Sequence, residues 1–162
     1  MSNALLPGSY DPITLGHVNV IRRAAALFDS VTVLLANNVS KHYTLCAEHR
    51  FALIEDAIRN IPNAHADAYD GMLADYIASH GHPVLVKGIR SEKDLAYEQE
   101  MALYNREITL RKYGFAAETF FLPADTRYAG VSSTLVRTLA SCAAEYADLV
   151  PNPELLKAFL AN

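Results

Sequence analysis

The segment PGSYDPITLGH occupies residues Pro7–His17 and follows the short apolar run Asn3–Pro7. Gly8 permits a tight exit from a strand, and Thr14 can cap the first turn of a helix. His17 then falls within that first turn, where free backbone N–H groups and the positive end of the helix dipole attract an anion. The segment therefore predicts a strand, a tight turn and a helix that offers an anion site at its start.

The change from strand to helix repeats along the chain. Runs of apolar or β-branched residues predict further strands at Val31–Ala36, Ala64–Tyr69, Pro83–Lys87 and Glu118–Leu122. Strands with apolar residues on both faces are typical of a parallel sheet that is covered on both sides. Turn-like residues or the start of a helical pattern follow each run, so the strands alternate with the helices described next.

Helical periodicity fills the gaps between these strands, because apolar residues recur there at intervals of three and four. The recurring sets are Val18, Ile21, Ala25 and Phe28; Phe51, Ile54, Ile58 and Ile61; and Tyr97, Met101, Tyr104 and Ile108. Residues 71–80, the segment after Ser132 and Pro153–Leu160 predict the other helices. The alternation predicts an α/β fold: a single Rossmann-like, doubly wound domain over residues 1–162, with a five-stranded parallel sheet and helices on both faces.

Composition excludes several classes of protein. The chain has 162 residues, is 51% hydrophobic and 20% charged, and contains no apolar run near the roughly 18 residues of a membrane span, so we expect one folded core and no membrane association. Its net charge of −4 argues against a nucleic-acid partner. The absence of a secretory pattern and the presence of only two cysteines, Cys46 and Cys142, predict a cytoplasmic protein with free thiols.

The predicted turns after the strands hold most of the chemically suggestive residues. Lys87 and Arg90 flank Gly88 directly after a buried strand, at the sheet edge where such folds bind ligands, and this arrangement predicts a phosphate site. Hydroxyl groups at Ser132–Thr134 are more often simple helix caps, although the ring of nearby Tyr128 could stack on a base. Taken alone, Lys41 and Glu98 are typical of solvated surface residues.

Several common catalytic motifs are absent. The chain contains no GxxxxGK[ST] and no GxGxxG, which argues against P-loop kinases and dinucleotide-dependent dehydrogenases. It also lacks GxSxG and HExxH, so neither a serine hydrolase of that type nor a zinc protease is supported. No cluster of carboxylates or of histidine and cysteine predicts a protein metal site.

Two signatures identify a resemblance that covers nearly the whole chain. Thr14-x-Gly16-His17 resembles the (H/T)xGH signature of the nucleotidyltransferase superfamily, and the segment Val131–Arg137, VSSTLVR, resembles its second signature. Within that superfamily, Ser40-Lys41, Lys87-Gly88-Ile89-Arg90 and Tyr97-Glu98, in this order, resemble the phosphopantetheine adenylyltransferase family.

The resemblance implies transfer of the adenylyl group of ATP to 4′-phosphopantetheine, which gives dephospho-coenzyme A and pyrophosphate. It also implies Mg²⁺, a homohexamer and inhibition by coenzyme A as a product-like ligand. His17 would stabilise the transition state. The implied acceptor contacts are Ser9, Lys41, Leu73 and Lys87. The implied ATP contacts are Ser9, Tyr10, His17, Gly88, Ile89, Arg90 and Glu98, together with Tyr128, Ala129, Gly130, Val131, Ser132, Ser133 and Thr134.

Departures from the family pattern keep alternatives open. Lys87 stands where the family usually has arginine, and a lysine cannot bind phosphate in the same bidentate way. Ser9-Tyr10 replaces the commoner Thr-Phe, and the loop over residues 123–132 is about one residue longer than the pattern. One alternative is a sister transferase with another phosphorylated acceptor, such as nicotinamide mononucleotide or a glycerol phosphate. The other is a nucleotide sensor that has the fold without the chemistry.

Overall fold

A computed structural model of the chain describes residues 2–37 and 42–161. Five parallel strands form one sheet in the order β3-β2-β1-β4-β5. The strands are β1 (Asn3–Gly8), β2 (Ser30–Ala36), β3 (Ala64–Tyr69), β4 (Val84–Ile89) and β5 (Thr119–Pro123). All five coincide with predicted runs to within two residues; four of them are continuous or nearly continuous apolar runs, whereas β3 alternates alanine with polar residues over most of its length.

In the described residues, six α-helices connect or follow the strands. They are α1 (Leu15–Leu27), α2 (Ala47–Ile58), α3 (Leu73–Ser79), α4 (Glu92–Tyr113), α5 (Ser133–Ser141) and α6 (Pro153–Leu160). Neighbouring residues of β1 point to opposite faces of the sheet: Leu6 packs in a core with α1, α2 and α6, and Leu5 packs with residues of α3. The predicted α/β fold, with a parallel sheet covered on both faces, is therefore confirmed. No helix in the described ranges is long and apolar enough to cross a membrane.

Helix α4 exists as predicted, but its apolar residues are not buried against the sheet. Tyr97 and Tyr104, which define the predicted apolar face, are more than half exposed, and Thr109 is the only fully buried residue of the helix. The predicted helix is therefore confirmed, but its tyrosines are exposed to solvent in the single chain. Periodicity gives the spacing of apolar residues and does not identify the surface that covers them.

The topology concentrates polar loops at one point of the sheet. The chain moves outward from β1 through β2 to β3, and then returns to place β4 on the other side of β1. The connections after β1 and β4 consequently diverge and leave a crevice between their carboxyl ends, which is where ligands bind in open α/β sheets. Ser9, Tyr10 and Arg90 follow these two strand ends.

Candidate active site

A cleft of about 670 Å³ lies at this point between β1 and β4. Its walls come from the turn after β1, the start of α1, the end of β4, the start of α4 and the loop that leads into α5. The predicted site residues that line it are Ser9, Tyr10, His17, Lys87, Gly88, Arg90, Glu98, Tyr128, Val131, Ser132, Ser133 and Thr134. The topology thus brings together residues that are more than 120 positions apart in the sequence.

His17 is held at the start of α1 by a capping arrangement. The Thr14 hydroxyl accepts a hydrogen bond from the His17 N–H, and the Thr14 backbone N–H donates to His17 Nδ1 over 3.0 Å. The Thr14 hydroxyl oxygen also lies 2.9 Å from Nδ1. Because Nδ1 accepts, the proton of the neutral imidazole belongs on Nε2, the other ring nitrogen, where it is available to a ligand.

The electrostatic surroundings keep His17 neutral. Burial, together with the positive charges of Arg90 and Lys87, lowers the pKa of His17 to about 4. A neutral imidazole at pH 7 is a hydrogen-bond donor and cannot act as a permanent cation. The site therefore offers a fixed donor that strengthens its interaction as negative charge develops on a ligand.

The ring of Tyr10 packs against the ring of His17. Its hydroxyl donates to the Leu6 carbonyl over 2.7 Å, and its ring meets the His17 ring edge-on at 5.2 Å between centroids. Burial raises the pKa of Tyr10 well above its ordinary value. The tyrosine hydroxyl is thus bonded to the backbone, while Tyr10 as a residue lines the cleft.

Lys87 and Glu98 form an ion pair across the cleft wall. Lys87 Nζ lies 3.3 Å from Glu98 Oε2 and also donates to the Pro7 carbonyl over 3.3 Å. Both side chains are about one-fifth exposed, so the pair is accessible to a ligand. Glu98, which resembles a surface residue when it is considered alone, is instead the carboxylate that holds Lys87 at the end of β4.

Arg90 is oriented by Asp94, one turn into α4. Arg90 Nε and Nη2 donate to the two carboxylate oxygens over 2.9 and 3.2 Å, and Nη1 donates to the Val131 carbonyl over 3.3 Å. The fork geometry holds the guanidinium plane between α4 and the loop before α5. The Asp94 backbone N–H donates to Ser91 Oγ, which caps the start of α4.

The loop before α5 closes the remaining side of the cleft. Ser132 caps α5 by accepting from the Leu135 N–H, and Ser133 Oγ donates to the Pro12 carbonyl over 2.8 Å. These hydroxyls therefore have structural partners, as the helix-cap interpretation predicts. Tyr128 lines the cleft, and Gly16 at the start of α1 lies close to it. Ile89, Ala129 and Gly130 belong to the same loops but do not line the cleft, so their roles stay predictions.

A smaller cavity of about 290 Å³ adjoins the cleft. The two spaces share the end of β1, Lys87, Tyr97 and Glu98. Leu73, at the start of α3, lines this second cavity with Met101 and Asn105 of α4. Lys41 falls outside the described residues, and its role stays a prediction.

Two further polar residues of the site were missed by the sequence analysis. The buried Asp11 carboxylate accepts from the backbone N–H groups of Thr44 and Leu45 over 2.9 and 3.0 Å. Arg137 Nη1 donates to the Asp11 carbonyl over 2.6 Å, and both residues line the cleft. Asp11 and Arg137 lie inside the two signature segments, so the sequence could have indicated that they are near the site. The signatures do not indicate which side chains form contacts with each other.

Metal binding by the protein alone has little support in residues 2–37 and 42–161. No group of three or more histidine, cysteine or acidic side chains converges there. Asp11 directs both carboxylate oxygens to backbone N–H groups. Magnesium is usually bound by one or two carboxylates together with substrate phosphates and water, so the described residues fit only an ion that arrives with a phosphate ligand.

Comparison with known proteins finds relatives by sequence and a similar fold. A family model described as cytidylyltransferase-like matches residues 5–139. A protein from Thermotoga neapolitana named phosphopantetheine adenylyltransferase is 40% identical over 155 residues, which cover 96% of this chain and 92% of that protein. A crystal structure of a proposed nicotinate-nucleotide adenylyltransferase from Vibrio parahaemolyticus superposes with a TM-score of 0.64 at 18% identity, covering 99% of this chain and 93% of the other. The last likeness concerns the fold alone.

Proposed function

This chain belongs to the phosphopantetheine adenylyltransferase family, and we propose that it transfers the adenylyl group of ATP to 4′-phosphopantetheine, releasing dephospho-coenzyme A and pyrophosphate. The observation that carries the proposal is the arrangement of His17, Lys87 and Arg90 around one cleft at the switch point of the sheet. A neutral donor between two cations suits a reaction in which negative charge moves between phosphates.

The reaction needs positioning more than it needs a base. A phosphate oxygen of the acceptor is already anionic at neutral pH and attacks the α-phosphorus of ATP directly. A new oxygen–phosphorus bond forms as the bond from the α-phosphorus to the β-bridging oxygen breaks, and the electron pair leaves with pyrophosphate. Two anions must therefore be held in line, which the positive groups of the cleft accomplish.

The described residues take distinct parts in this proposal. His17 Nε2–H donates to the α-phosphate oxygen on which charge grows. Arg90, anchored by Asp94, and the loop that contains Tyr128 and Ser132 border the nucleotide. Lys87 stands where the cleft and the smaller cavity meet, so it is placed to bind the acceptor phosphate after exchanging its contact with Glu98 for the ligand.

The smaller cavity suits the elongated arm of the acceptor. Its lining combines apolar Leu73 and Met101 with the amide of Asn105 and the hydroxyl of Thr119. The Thr119 hydroxyl is buried and has no hydrogen-bond partner in the described part of the chain. An amide-containing chain such as pantetheine would supply that partner while its carbon atoms cover the apolar side chains.

Magnesium, assembly and location complete the proposal. Mg²⁺ would enter with the phosphates of ATP and neutralise part of their charge, while the protein groups orient the phosphates.

The apolar residues exposed on α4 support self-association, for which the family resemblance suggests a homohexamer. Coenzyme A, which resembles the product, would bind the same cleft as an inhibitor. A cytoplasmic location agrees with the sequence, and no nucleic-acid partner is proposed.

Pyrophosphate release tests the function directly. ATP and Mg²⁺ are offered with 4′-phosphopantetheine, nicotinamide mononucleotide or glycerol 3-phosphate in separate reactions. We expect release with 4′-phosphopantetheine, and a His17→Ala variant should lose about 10²–10³-fold in kcat with smaller changes in KM. Release with only one of the other acceptors would favour a sister transferase. No release with any acceptor would favour the nucleotide sensor.

A further inference from the structure

Arg50 is a buried cation for which the proposed reaction has no role. It lies in the first turn of α2, is 2% exposed and belongs to the largest fully buried side chains. No carboxylate of a described residue forms an ion pair with its guanidinium. Burying an unpaired charge is strongly unfavourable unless hydrogen bonds replace its hydration, so the contacts of Arg50 indicate what its burial achieves.

The guanidinium connects three separate segments of the chain, one of which contains a residue that lines the cleft. Nη1 donates to the Ser9 carbonyl over 2.9 Å, Nη2 donates to Asn37 Oδ1 over 2.7 Å, and Nε donates to the Leu45 carbonyl over 3.1 Å. The Tyr43 ring covers its face, with the guanidinium carbon 3.9 Å from the ring centroid. Ser9 and Asn37 follow β1 and β2, so one side chain fixes the ends of two adjacent strands.

The contact with Ser9 affects the cleft directly. Ser9 and Tyr10 both line it, and Tyr10 has a positive φ of 45°, which a non-glycine residue adopts only when its surroundings hold it there. In a trans peptide the carbonyl and the next N–H point in opposite directions. With the Ser9 carbonyl fixed on Arg50, the Tyr10 N–H is directed away from Arg50, and the charged hydrogen bond polarises this peptide so that the N–H becomes a better donor.

The geometry points to Arg50 as a positioning residue that orients the Ser9–Tyr10 peptide for a phosphate group of ATP and supplies positive charge behind it. This inference rests on the proposed function for the identity of the ligand. A purely structural role would need only the hydrogen bonds of Arg50. The proposed role also needs its positive charge, which would strengthen ATP binding.

An exchange of two neighbouring side chains separates the charge from the hydrogen bonds. Asn37 Nδ2 donates to Asp70 Oδ1 over 2.5 Å, while Asn37 Oδ1 accepts from Arg50. In the double variant Asn37→Asp/Asp70→Asn, a carboxylate would accept from Arg50 and from the new amide. The hydrogen-bond pattern and net charge are retained, but a negative charge moves from exposed residue 70 onto the buried guanidinium.

ATP affinity, measured by calorimetry without acceptor, is the readout for this variant. We expect the double variant to unfold at a denaturant concentration close to that of the wild type and to bind ATP about tenfold more weakly, because the carboxylate cancels the field of Arg50. Unchanged affinity in a folded double variant would overturn the inference. Because no acceptor is present, this result is independent of pyrophosphate release, which tests the proposed function.

Arg50→Lys provides the second variant, with Ile58→Val as its matched control. The lysine keeps a charge but cannot hold three acceptors, so we expect weaker ATP binding and a lower kcat/KM in folded protein. Ile58→Val loosens the buried far end of the same helix and should leave ATP affinity within about twofold of the wild type. Equal losses of affinity in the two variants at equal loss of stability would overturn the assignment of Arg50.

Discussion

The position of the His17 ring depends on an unprotonated Nδ1, which accepts a hydrogen bond from the Thr14 backbone N–H. The backbone N–H of Thr14 already points at Nδ1, so a proton there would face another donor and break the cap of α1. The low pKa of His17 therefore protects both the hydrogen-bond pattern and the helix start at neutral pH. Desolvation and the two neighbouring cations act together, and the same cations are those proposed to bind the substrates.

The pH dependence of kcat follows from this assignment. His17 has a pKa of about 4, so its own protonation should lower kcat only as the pH approaches 4, well below the titration of the acceptor phosphate at about pH 6. Because the unfolded chain binds the proton at about 6.5, the free energy of unfolding should also decrease between these two values as the pH falls. His17→Asn should remove that part of the stability change. A fall of kcat centred near pH 6.5 that is present in the wild type and absent in His17→Asn would contradict the neutral-donor role.

Lys87 and Arg90 should affect different ligands. Lys87 lies where the cleft meets the smaller cavity, whereas Arg90 lies beside the loop before α5. We expect Lys87→Ala to weaken 4′-phosphopantetheine binding more than ATP binding, with the opposite order for Arg90→Ala. Calorimetry with each ligand separately measures both effects, and equal losses for the two ligands in Lys87→Ala would count against its assignment to the acceptor.

At the level of elements, Gly88 is required by the packing of α1 on β4. A Cβ at this position would lie 2.7 Å from Val20 Cγ2, and a β-branched side chain in a helix has little freedom to move. We expect Gly88→Ala to lower the free energy of unfolding by about 1–3 kcal/mol. In Gly88→Ala/Val20→Ala the cost should be less than the sum of the single changes, as denaturant titration can measure. Additive costs would contradict the steric origin.

Gly130 provides the control for this substitution. It has no positive φ, and no heavy atom lies within 4 Å of the position its Cβ would take. Gly130→Ala should therefore change the free energy of unfolding by less than about 0.5 kcal/mol. This contrast would assign a second function to Gly88, which sequence reasoning places at a phosphate site: it lets β4 approach α1, the helix that carries His17.

Sequence patterns predicted the elements well and their contacts poorly. β2 was evident from a continuous β-branched run, and α1 from apolar spacing after a capping residue. The partners of Arg90 and Arg50 were not evident, because Arg90 meets Val131 and Arg50 meets Ser9 across 41 residues in each case. Such contacts depend on the order of strands in the sheet. The exposure of apolar residues on α4 could not be predicted from the sequence. The spacing of apolar residues is the same in a helix that packs on the core of its own chain and in one that packs on another surface.

At the level of the whole molecule, the topology explains how an acidic protein can bind phosphates. The net charge is −4, yet β4, the residue after it and α5 bring Lys87, Arg90 and Arg137 to one cleft, where they equal in number the lining carboxylates Asp11, Asp94 and Glu98. Acidic partners such as Glu98 and Asp94 hold two of these cations in place. Local potential in a cleft is set by nearby charges and low-dielectric walls, so overall charge is a poor guide to small anionic ligands.

Helix α4 provides the last prediction, which concerns assembly. Leu103 is 63% exposed, and Tyr97, Tyr104 and Leu110 of the same helix are also exposed. Single exposed apolar residues are common on protein surfaces, whereas several on one helix indicate an interaction surface. Leu103→Glu should therefore shift the protein to a smaller species in light scattering, since a charge in an apolar interface is costly. Leu27, which is 64% exposed on α1, gives a matched control, and Leu27→Glu should keep the assembly of the wild type. A wild type that is monomeric at all concentrations, or two variants that dissociate equally, would contradict a role for α4 in self-association.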